Sequence, residues 1–303
     1  MRKDGLRAKE VQGHFRERTT VMKRIDLHTH SLFSDGSMTP EELVFAAKQA
    51  GLSAIALTDH DTTDGLARAM AEGQRLGVEV VPGVELSTEG ISQVHVLGYY
   101  IDPQSPALKD SFKKQQEERR RTHAAYMRVL NDHGFAITEE EVKRVAPVGS
   151  IGRAHYAKVM MEKGYVKSVA EAFQKYLFVG APCYVKREVM DPKEAISLIH
   201  EAGGVAFFAH PYQTKLSDEG IFNLMKELKD AGLDGIEGYY SEYTPEMGEK
   251  FRKMAEELDL MLSGGSDFHA AMKPHIRIGS GVDGNLAVDY ALLEKIKGAC
   301  GRG

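Results

Sequence analysis

A short stretch near the amino end, residues 24–30, limits most strongly what this chain can fold into. Apolar side chains alternate there with Asp26, His28 and His30, which is the period-two pattern of a β-strand. On a strand the two histidines point to the same side, so their ring nitrogens can reach one metal ion. A lone His-x-His motif is a weak signal, so its meaning depends on the rest of the chain.

Along most of the chain, apolar runs that predict buried strands alternate with capped helices. Two helices are predicted to begin with a capping residue followed by proline, at residues 39–40 and 191–192. Short apolar runs such as residues 54–57 and 205–209 are typical of parallel strands that are buried on both faces. A chain of 303 residues is long enough for one large α/β domain with an insertion.

Changes in composition divide the chain into three predicted regions. Residues 1–21 are polar without an apolar period, and we expect them to form a loose extension. Residues 22–103 and 188–303 carry the alternating strands and helices of one domain. Residues 104–187 are charged, with a helical pattern and no strand signal. We therefore predict that they form a helical insertion that acts as a lid.

The charge and the cysteine content argue against several classes of protein. The net charge is -5 at pH 7, whereas stable binding to double-stranded DNA calls for a basic face. Cys183 and Cys300 lie far apart without metal-binding spacing, which fits a reducing compartment. No apolar run approaches the roughly twenty residues of a membrane span, and no signal peptide is visible. We expect a cytoplasmic protein without a membrane partner, and the composition indicates no oligomeric state.

Nine side chains of metal-binding type fall on predicted strands or in the segments that follow them. They are His28, His30, Asp35, His60, Glu85, His95, His210, Asp267 and His269. In an α/β barrel the carboxyl ends of the parallel strands share one face, which carries the active site. A set of satisfied polar core residues is the alternative, but a buried network of this size is costly unless it is paired or binds metal. Nitrogen and oxygen donors without thiolate point to zinc, manganese or iron, and nine donors suit two or three ions.

The order of these residues resembles that of the PHP (polymerase and histidinol phosphatase) superfamily. Seven motifs between residues 24 and 270 carry the resemblance: His28-Thr29-His30, Ser34-Asp35-Gly36, Thr58-Asp59-His60, Glu85, His95, His210-Pro211 and Ser266-Asp267-Phe268-His269. The resemblance implies an α/β fold, a distorted (β/α)7 barrel with a trinuclear metal site. Manganese is the expected metal, with zinc or iron as alternatives.

The same resemblance implies how the donors are shared among three ions. One ion would be held by His28, His30, Glu85 and Asp267. A second would be held by the bridging Glu85 together with His95 and His210. The third would be held by Asp35, His60 and His269, where Asp35 replaces a histidine found in some family members. The expected catalytic residues are Glu85, His210, Asp267 and His269, around a metal-bridging hydroxide that attacks phosphorus.

Within the family, the chain is similar to the stand-alone phosphoesterases that cleave nucleoside 3',5'-bisphosphates and short RNA. Residues 149–155, 184–187 and 201–211 carry this closer resemblance. The expected substrate-binding residues are Ser150, Arg153, His155, Lys186 and Arg187. Of these, Arg153 and Arg187 would bind the second, non-reacting phosphate, because guanidinium matches phosphate geometry. A solvated surface position is the alternative for the lone cations.

The sequence therefore predicts a metal-dependent phosphoric monoester hydrolase. It would remove the 3'-phosphate of nucleoside 3',5'-bisphosphates such as adenosine 3',5'-bisphosphate, and its partners would include short 5'-phosphorylated RNA. One alternative is a histidinol-phosphate phosphatase, which the insertion disfavours. Another is a non-catalytic metal-binding PHP module, which the absence of a polymerase-sized extension disfavours. The sequence has no Walker, Gly-x-Ser-x-Gly or dinucleotide motif, which weakens kinase, serine hydrolase and dehydrogenase interpretations.

Overall fold

The strands and helices of the chain alternate as the apolar pattern predicts. The computed structural model describes four ranges, residues 22–89, 93–145, 151–186 and 188–301. The predicted extension at residues 1–21 and the predicted substrate contacts Ser150 and Arg187 lie outside these ranges. Among the residues within them, no helix is long and apolar enough to cross a membrane.

Eight strands form one curved sheet, and two further short strands form a separate pair. In chain order the strands are β1 (Arg24–Thr29), β2 (Leu52–Leu57), β3 (Glu79–Glu89), β4 (Gln93–Tyr99), β5 (Val205–Phe208), β6 (Gly235–Tyr240), β7 (Met261–Gly265), β8 (Ile276–Arg277), β9 (Gly281–Val282) and β10 (Val288–Asp289). The order in the large sheet is β10-β1-β2-β3-β4-β5-β6-β7. Strand β4 runs antiparallel to β3 and β5, and β10 runs antiparallel to β1, while the other neighbours are parallel.

The two ends of the sheet meet beside β1. The Asp267 N–H donates to the carbonyl of His28, and the His30 N–H donates to the carbonyl of Phe268, each at 2.9 Å. These contacts bring the segment after β7 against β1, so the sheet is nearly closed. The predicted α/β fold, a distorted (β/α)7 barrel, is therefore confirmed in the form of a barrel-shaped sheet of eight strands.

Ten α-helices connect or cover the strands in the described residues. They are α1 (Pro40–Gln49), α2 (Leu66–Leu76), α3 (Pro106–Asp132), α4 (Glu139–Val145), α5 (Arg153–Glu162), α6 (Val169–Ala172), α7 (Pro192–Glu201), α8 (Asp218–Asp230), α9 (Pro245–Glu257) and α10 (Tyr290–Ala299). Helices α3 to α6 and a π-helical turn, Phe173–Leu177, follow β4 and make up the helical segment, which precedes α7 and β5. Residues 104–145 and 151–186 of this segment include no strand.

The two predicted helix starts are confirmed by their capping contacts. Thr39 caps α1 in a reciprocal box, since its hydroxyl accepts from the Glu42 N–H at 3.2 Å and the Glu42 carboxylate accepts from the Thr39 N–H at 2.8 Å. Asp191 caps α7 by accepting from the Lys193 N–H at 2.8 Å. Each cap satisfies a backbone donor that the first turn of a helix leaves without a partner.

The hydrophobic core lies on both faces of the sheet. Val96 and Phe208 belong to a cluster that packs helices against one face, whereas their neighbours Leu97 and Phe207 belong to a second cluster that includes Leu293 of α10. Successive residues of a strand point to opposite faces, which explains why neighbours divide between the clusters. In the helical segment, buried residues from Tyr126 to Cys183 pack in a third cluster of their own.

Candidate metal centre

All nine predicted ligands lie together at one end of the barrel. Eight of them occur in compact groups whose donor atoms are within 4.8 Å of one another. The ninth, His210, joins them through a contact of 2.9 Å between its Nε2 and Glu85 Oε1. His28 lies on β1, Glu85 on β3 and His95 on β4, and the others follow β1, β2, β5 and β7.

Four almost completely buried residues surround one position in this cluster. His28 Nε2 lies 3.1 Å from Glu85 Oε2 and 3.5 Å from Asp267 Oδ1. His30 Nε2 lies 3.2 Å and 3.3 Å from the same two oxygens. Two imidazole nitrogens and two carboxylate oxygens at these distances can hold one divalent cation. The group is the one that the resemblance implies for the first ion.

A second group lies toward the solvent side of His30. His269 Nε2 is 3.1 Å from Asp35 Oδ1, and His60 Nε2 is 3.8 Å from Asp35 Oδ2. The donor atoms of these three residues and of His30 are within 4.8 Å of one another. The group contains the three residues that the resemblance implies for the third ion, with His30 as an additional neighbour.

Glu85 links the groups through its two carboxylate oxygens. Its Oε1 lies 2.8 Å from His95 Nδ1 and 2.9 Å from His210 Nε2. Its Oε2 lies 3.1 Å from His28 Nε2 and 3.3 Å from His60 Nδ1. A carboxylate that faces two donor groups with different oxygens has the arrangement of a bridging ligand. The remaining compact group joins Glu85 to His60 and His95, so His60 lies close to the donors assigned to the second ion.

The general rule that parallel strands deliver ligands from their carboxyl ends does not apply to the strand that carries His95. Strand β4 is antiparallel to β3 and β5, and His95 lies near its amino end. The amino end of an antiparallel strand lies at the same edge of the sheet as the carboxyl ends of its neighbours. His95 therefore reaches the shared face from the opposite chain direction.

The buried carboxylates of Glu85 and Asp267 and the imidazole of His28 are held in opposite charge states. Burial alone would raise the pKa of Glu85 and Asp267, but nearby histidines, led by His60 and His28 respectively, lower both pKa values well below the ordinary range. Burial lowers the pKa of His28, but the carboxylates of Glu237, Glu85 and Asp267 outweigh it and raise that pKa well above 6.5. Divalent cations would replace the positive charge that protons otherwise supply.

Two buried ring nitrogens without hydrogen bonds indicate that the cluster fits a metal. His30 Nε2 and His60 Nδ1 are buried and make no hydrogen bond to any described residue. Both nevertheless lie within 3.3 Å of Glu85 Oε2. Buried polar atoms without partners are costly, and a cation among these atoms would satisfy all of them. Burial also lowers the pKa of His60 to about 4, so its imidazole is neutral near pH 7, as metal binding requires.

Two buried aspartates outside the predicted ligand set fix the loops that carry ligands. Asp59 accepts from the Ser31 hydroxyl at 2.6 Å and from the Ser34 hydroxyl at 2.7 Å. Asp26 accepts from the Ser266 N–H at 2.8 Å and from the Gly279 N–H at 2.7 Å. Sequence reasoning missed these roles, although both aspartates stand beside ligands, in the stretches that suggested the site.

Asp267 is held by two further residues that the sequence did not single out. The Tyr240 hydroxyl and the Lys273 ammonium donate to Asp267 Oδ2 at 2.8 Å and 2.6 Å. The other oxygen, Oδ1, faces His28 and His30. This division leaves Oδ1 available to a cation.

Residues 26–265 match the sequence model of the PHP domain. The chain belongs to the PHP family. It is 36% identical over 251 residues to the 3',5'-nucleoside bisphosphate phosphatase of Chromobacterium violaceum, covering 82% of this chain and 88% of that protein. It is 34% identical over 250 residues to the 5'-3' exoribonuclease of Haemophilus influenzae, covering 82% and 91%. A solved structure of an amidohydrolase from Chromobacterium violaceum, with bound sulfate and no metal, matches with a TM-score of 0.71 and 36% identity, covering 84% of this chain and 90% of that one.

The helical segment of the PHP chain presents Arg153 at the first position of α5. The guanidinium is exposed and lies over the rings of Phe173 and Tyr184, 5.9 Å and 5.7 Å from their centres. It forms no ion pair with the residues that the structure describes. His155 caps the start of the same helix, since its Nδ1 accepts a hydrogen bond from the Gly152 N–H at 2.9 Å.

Three of the five predicted substrate contacts fall within the described ranges, and none of the three is bonded to the proposed metal ligands. Within the described ranges, no hydrogen bond or ion pair joins Arg153, His155 or Lys186 to the nine-residue cluster. Lys186 is exposed and also lacks an ion pair among those residues. These three side chains therefore make no hydrogen bond or ion pair with the donor cluster, and their part in substrate binding stays a prediction.

Proposed function

We propose that this PHP chain is a metal-dependent phosphoesterase that removes the 3'-phosphate of nucleoside 3',5'-bisphosphates such as adenosine 3',5'-bisphosphate. The observation that carries the proposal is the donor cluster around Glu85, in which His30 Nε2 and His60 Nδ1 lack hydrogen bonds to described residues. The bisphosphate phosphatase relative, at 36% identity, supports the choice of substrate.

The cluster would hold two or three divalent cations. Its donors are imidazole nitrogens and carboxylate oxygens, a set that suits manganese, zinc and iron. The proposed sets are His28, His30, Glu85 and Asp267 for one ion, Glu85, His95 and His210 for another, and Asp35, His60 and His269 for a third. When bound, such cations supply Lewis-acid chemistry, since they activate water near neutral pH and offset negative charge on phosphoryl oxygens.

The partly exposed members of the cluster mark the side from which a phosphate would enter. The side chains of Asp35, His60 and His95 are 44%, 21% and 13% exposed. Those of Glu85 and Asp267 are 1% and 4% exposed. Water is therefore excluded behind the reacting group, and electrostatic interactions there are stronger than in solvent.

The helical segment is anchored beside this open side. Asp61, which follows His60, forms an ion pair with Arg119 of α3. The adjacent Glu118 accepts a hydrogen bond from the Glu188 N–H at 3.3 Å. The last part of the helical segment, just before residue 188, therefore runs next to the helix that contacts the metal-centre loop.

This arrangement supports binding of a second phosphate by the helical segment. Tyr184 lies in that last part and stacks under the guanidinium of Arg153. An exposed guanidinium without a carboxylate partner among the described residues is available to bind a phosphate through paired donors. The proposed substrate-binding set is Ser150, Arg153, His155, Lys186 and Arg187.

Short 5'-phosphorylated RNA is a second candidate substrate, which the exoribonuclease relative favours. The first nucleotide of such an RNA also carries an ester on its 3' oxygen and a phosphate on its 5' oxygen. Both candidate substrates thus offer one group to the cations and one to the helical segment.

A substrate panel tests the proposal. Manganese-loaded protein is assayed for phosphate release from adenosine 3',5'-bisphosphate, adenosine 3'-monophosphate and histidinol phosphate, and for nucleotide release from short RNA with and without a 5'-phosphate. We expect the bisphosphate to be the best of the three small substrates, and 5'-phosphorylated RNA to be preferred over 5'-hydroxyl RNA. Efficient cleavage of histidinol phosphate alone would contradict the proposal.

A further inference from the structure

Glu237, on β6, is a fully buried carboxylate that contacts two of the proposed ligand residues. Its Oε1 lies 3.0 Å from His28 Nδ1. Its Oε2 accepts from the backbone N–H of His210 at 2.9 Å. The two contacts reach different elements of the barrel, since His28 belongs to β1 and His210 follows β5.

We propose that Glu237 is a positioning residue that fixes the orientation and tautomer of His28 and the backbone of His210 at the metal centre. The inference rests on the proposed function only in assuming that the cluster binds divalent cations. A carboxylate on one ring nitrogen of a ligand histidine keeps the proton on that nitrogen and leaves the other nitrogen free to bind the metal.

The geometry around His28 fits this role on both sides of the ring. With the proton on Nδ1, His28 donates to Glu237. The opposite nitrogen, Nε2, then points to Glu85 Oε2 at 3.1 Å and to Asp267 Oδ1 at 3.5 Å, where the first ion would lie. In the reversed tautomer, Nε2 would carry the proton and could not bind that ion.

The contact to His210 stabilises a backbone conformation that side chains rarely adopt. His210 has φ 27° and ψ 62°, in the left-handed region that disfavours residues with a Cβ. A buried carboxylate that accepts from its N–H offsets part of that strain, since hydrogen bonds to charged groups are the stronger ones. The same turn aims His210 Nε2 at Glu85 Oε1.

Replacing Glu237 by glutamine keeps the size and shape of the side chain but removes its charge and one of its two acceptor oxygens. The two partners of Glu237 are both donors in this arrangement, and a glutamine side chain has only one acceptor oxygen. In Glu237→Gln, either His28 Nδ1–H or the His210 N–H must face an amide NH2 group. His28 would escape by taking the reversed tautomer, which removes one ligand from the first ion.

Asp234 provides a matched control outside the metal centre. Its Oδ2 lies 2.8 Å from His200 Nε2 and 2.8 Å from the Ala206 backbone nitrogen. The residue therefore repeats the combination of one histidine ring and one backbone N–H on a single carboxylate. Asp234→Asn should leave metal binding unchanged.

The experiment measures Mn²⁺ binding to chelator-stripped full-length protein by equilibrium dialysis and elemental analysis. Wild type, Glu237→Gln, Asp234→Asn, His28→Ala and the double variant His28→Ala/Glu237→Gln are compared, with folding checked by circular dichroism. We expect Glu237→Gln to raise the dissociation constant of one ion by about 10- to 100-fold. In the His28→Ala background the same change should add little for that ion, because Glu237 acts on it through His28.

Unchanged Mn²⁺ binding by Glu237→Gln, or equal losses with and without His28, would overturn the inference. Failure of the wild type to bind Mn²⁺ would instead overturn the proposed function, so the two failures are distinguishable. A measurement on the wild type alone guards against a variant that does not fold. In Zn²⁺-loaded protein labelled with ¹⁵N in its histidine rings, NMR should show the His28 proton on Nδ1. A proton on Nε2 would refute the positioning role.

Discussion

Glu85 and His95 face each other across the β3–β4 hairpin, with 2.8 Å between Oε1 and Nδ1. The contact is diagonal, because the register partner of His95 is Ser87 and that of Glu85 is Leu97, and residues two positions apart share a face of the sheet. The same carboxylate oxygen lies 2.9 Å from His210 Nε2. One buried side chain thus holds together groups from three elements, and the loss of any of them should disturb the whole centre.

His210→Ala and Asp267→Asn should each abolish phosphoester hydrolysis while the fold persists. Both residues follow barrel strands, on the face that serves the site more than the core. Each substitution removes a proposed metal ligand. Phosphate release from adenosine 3',5'-bisphosphate measures activity, and circular dichroism measures folding. His200→Ala is the control, because His200 contacts Asp234 outside the cluster. Near-wild-type turnover by either ligand variant would remove that residue from the site.

Arg153→Ala should lower kcat/KM for adenosine 3',5'-bisphosphate by about 10- to 100-fold, the effect of losing a charge-assisted hydrogen bond. The loss should be much smaller for adenosine 3'-monophosphate, which lacks the second phosphate. Arg144→Ala is a matched control in the same segment, because Arg144 is exposed and already paired with Glu162. Equal losses on the two nucleotides would show that Arg153 serves the reacting phosphate or the fold.

The sequence predicted that the nine metal-binding side chains would lie together, for a physical reason. Most of them stand on or just after short apolar runs, and parallel strands deliver their carboxyl ends to one face. The sequence could not predict the direction of β4 in the sheet, because period-two alternation is the same in both chain directions. The orientation of His95 is settled only by the pairing of β4 with β3 and β5.

Glu237 shows a second limit of sequence reasoning. It lies on β6, as several proposed ligands lie on strands, but no spacing pattern distinguishes a carboxylate that binds metal from one that supports a ligand. Its role follows from contacts with His28 and His210, which are 209 and 27 residues away along the chain. Contacts of such separation depend on the closed barrel and are not encoded in any local pattern.

Glu79→Gln should destabilise the fold at neutral pH and have little effect in acid. Burial alone would raise the pKa of Glu79, but hydrogen bonds from Lys297 and Tyr290 outweigh it and hold the pKa below 4.5. A carboxylate whose folded pKa is depressed contributes stability above its unfolded pKa, and that stability is lost as the pH falls through the folded pKa. Because Glu79 is partly exposed, we expect the substitution to lower the free energy of unfolding by about 1 kcal/mol at pH 7.

Urea unfolding of chelator-treated protein at several pH values measures this difference. Glu249→Gln is the control, because Glu249 pairs with Lys253 on the surface, where both side chains are more than half exposed, and the substitution should have little effect at any pH. A wild-type advantage over Glu79→Gln that persists undiminished well below pH 4 would show that the charge of Glu79 is not its source.

The central claim is that a PHP metal centre removes the 3'-phosphate of a nucleoside 3',5'-bisphosphate. It is tested most directly by incubating adenosine 3',5'-bisphosphate with protein that has been stripped by a chelator, before and after reloading with Mn²⁺, and by identifying the nucleotide product. We predict that only the reloaded protein, carrying two or three ions per chain, forms adenosine 5'-monophosphate and inorganic phosphate. Formation of adenosine 3'-monophosphate, or equal turnover by the stripped protein, would contradict the claim.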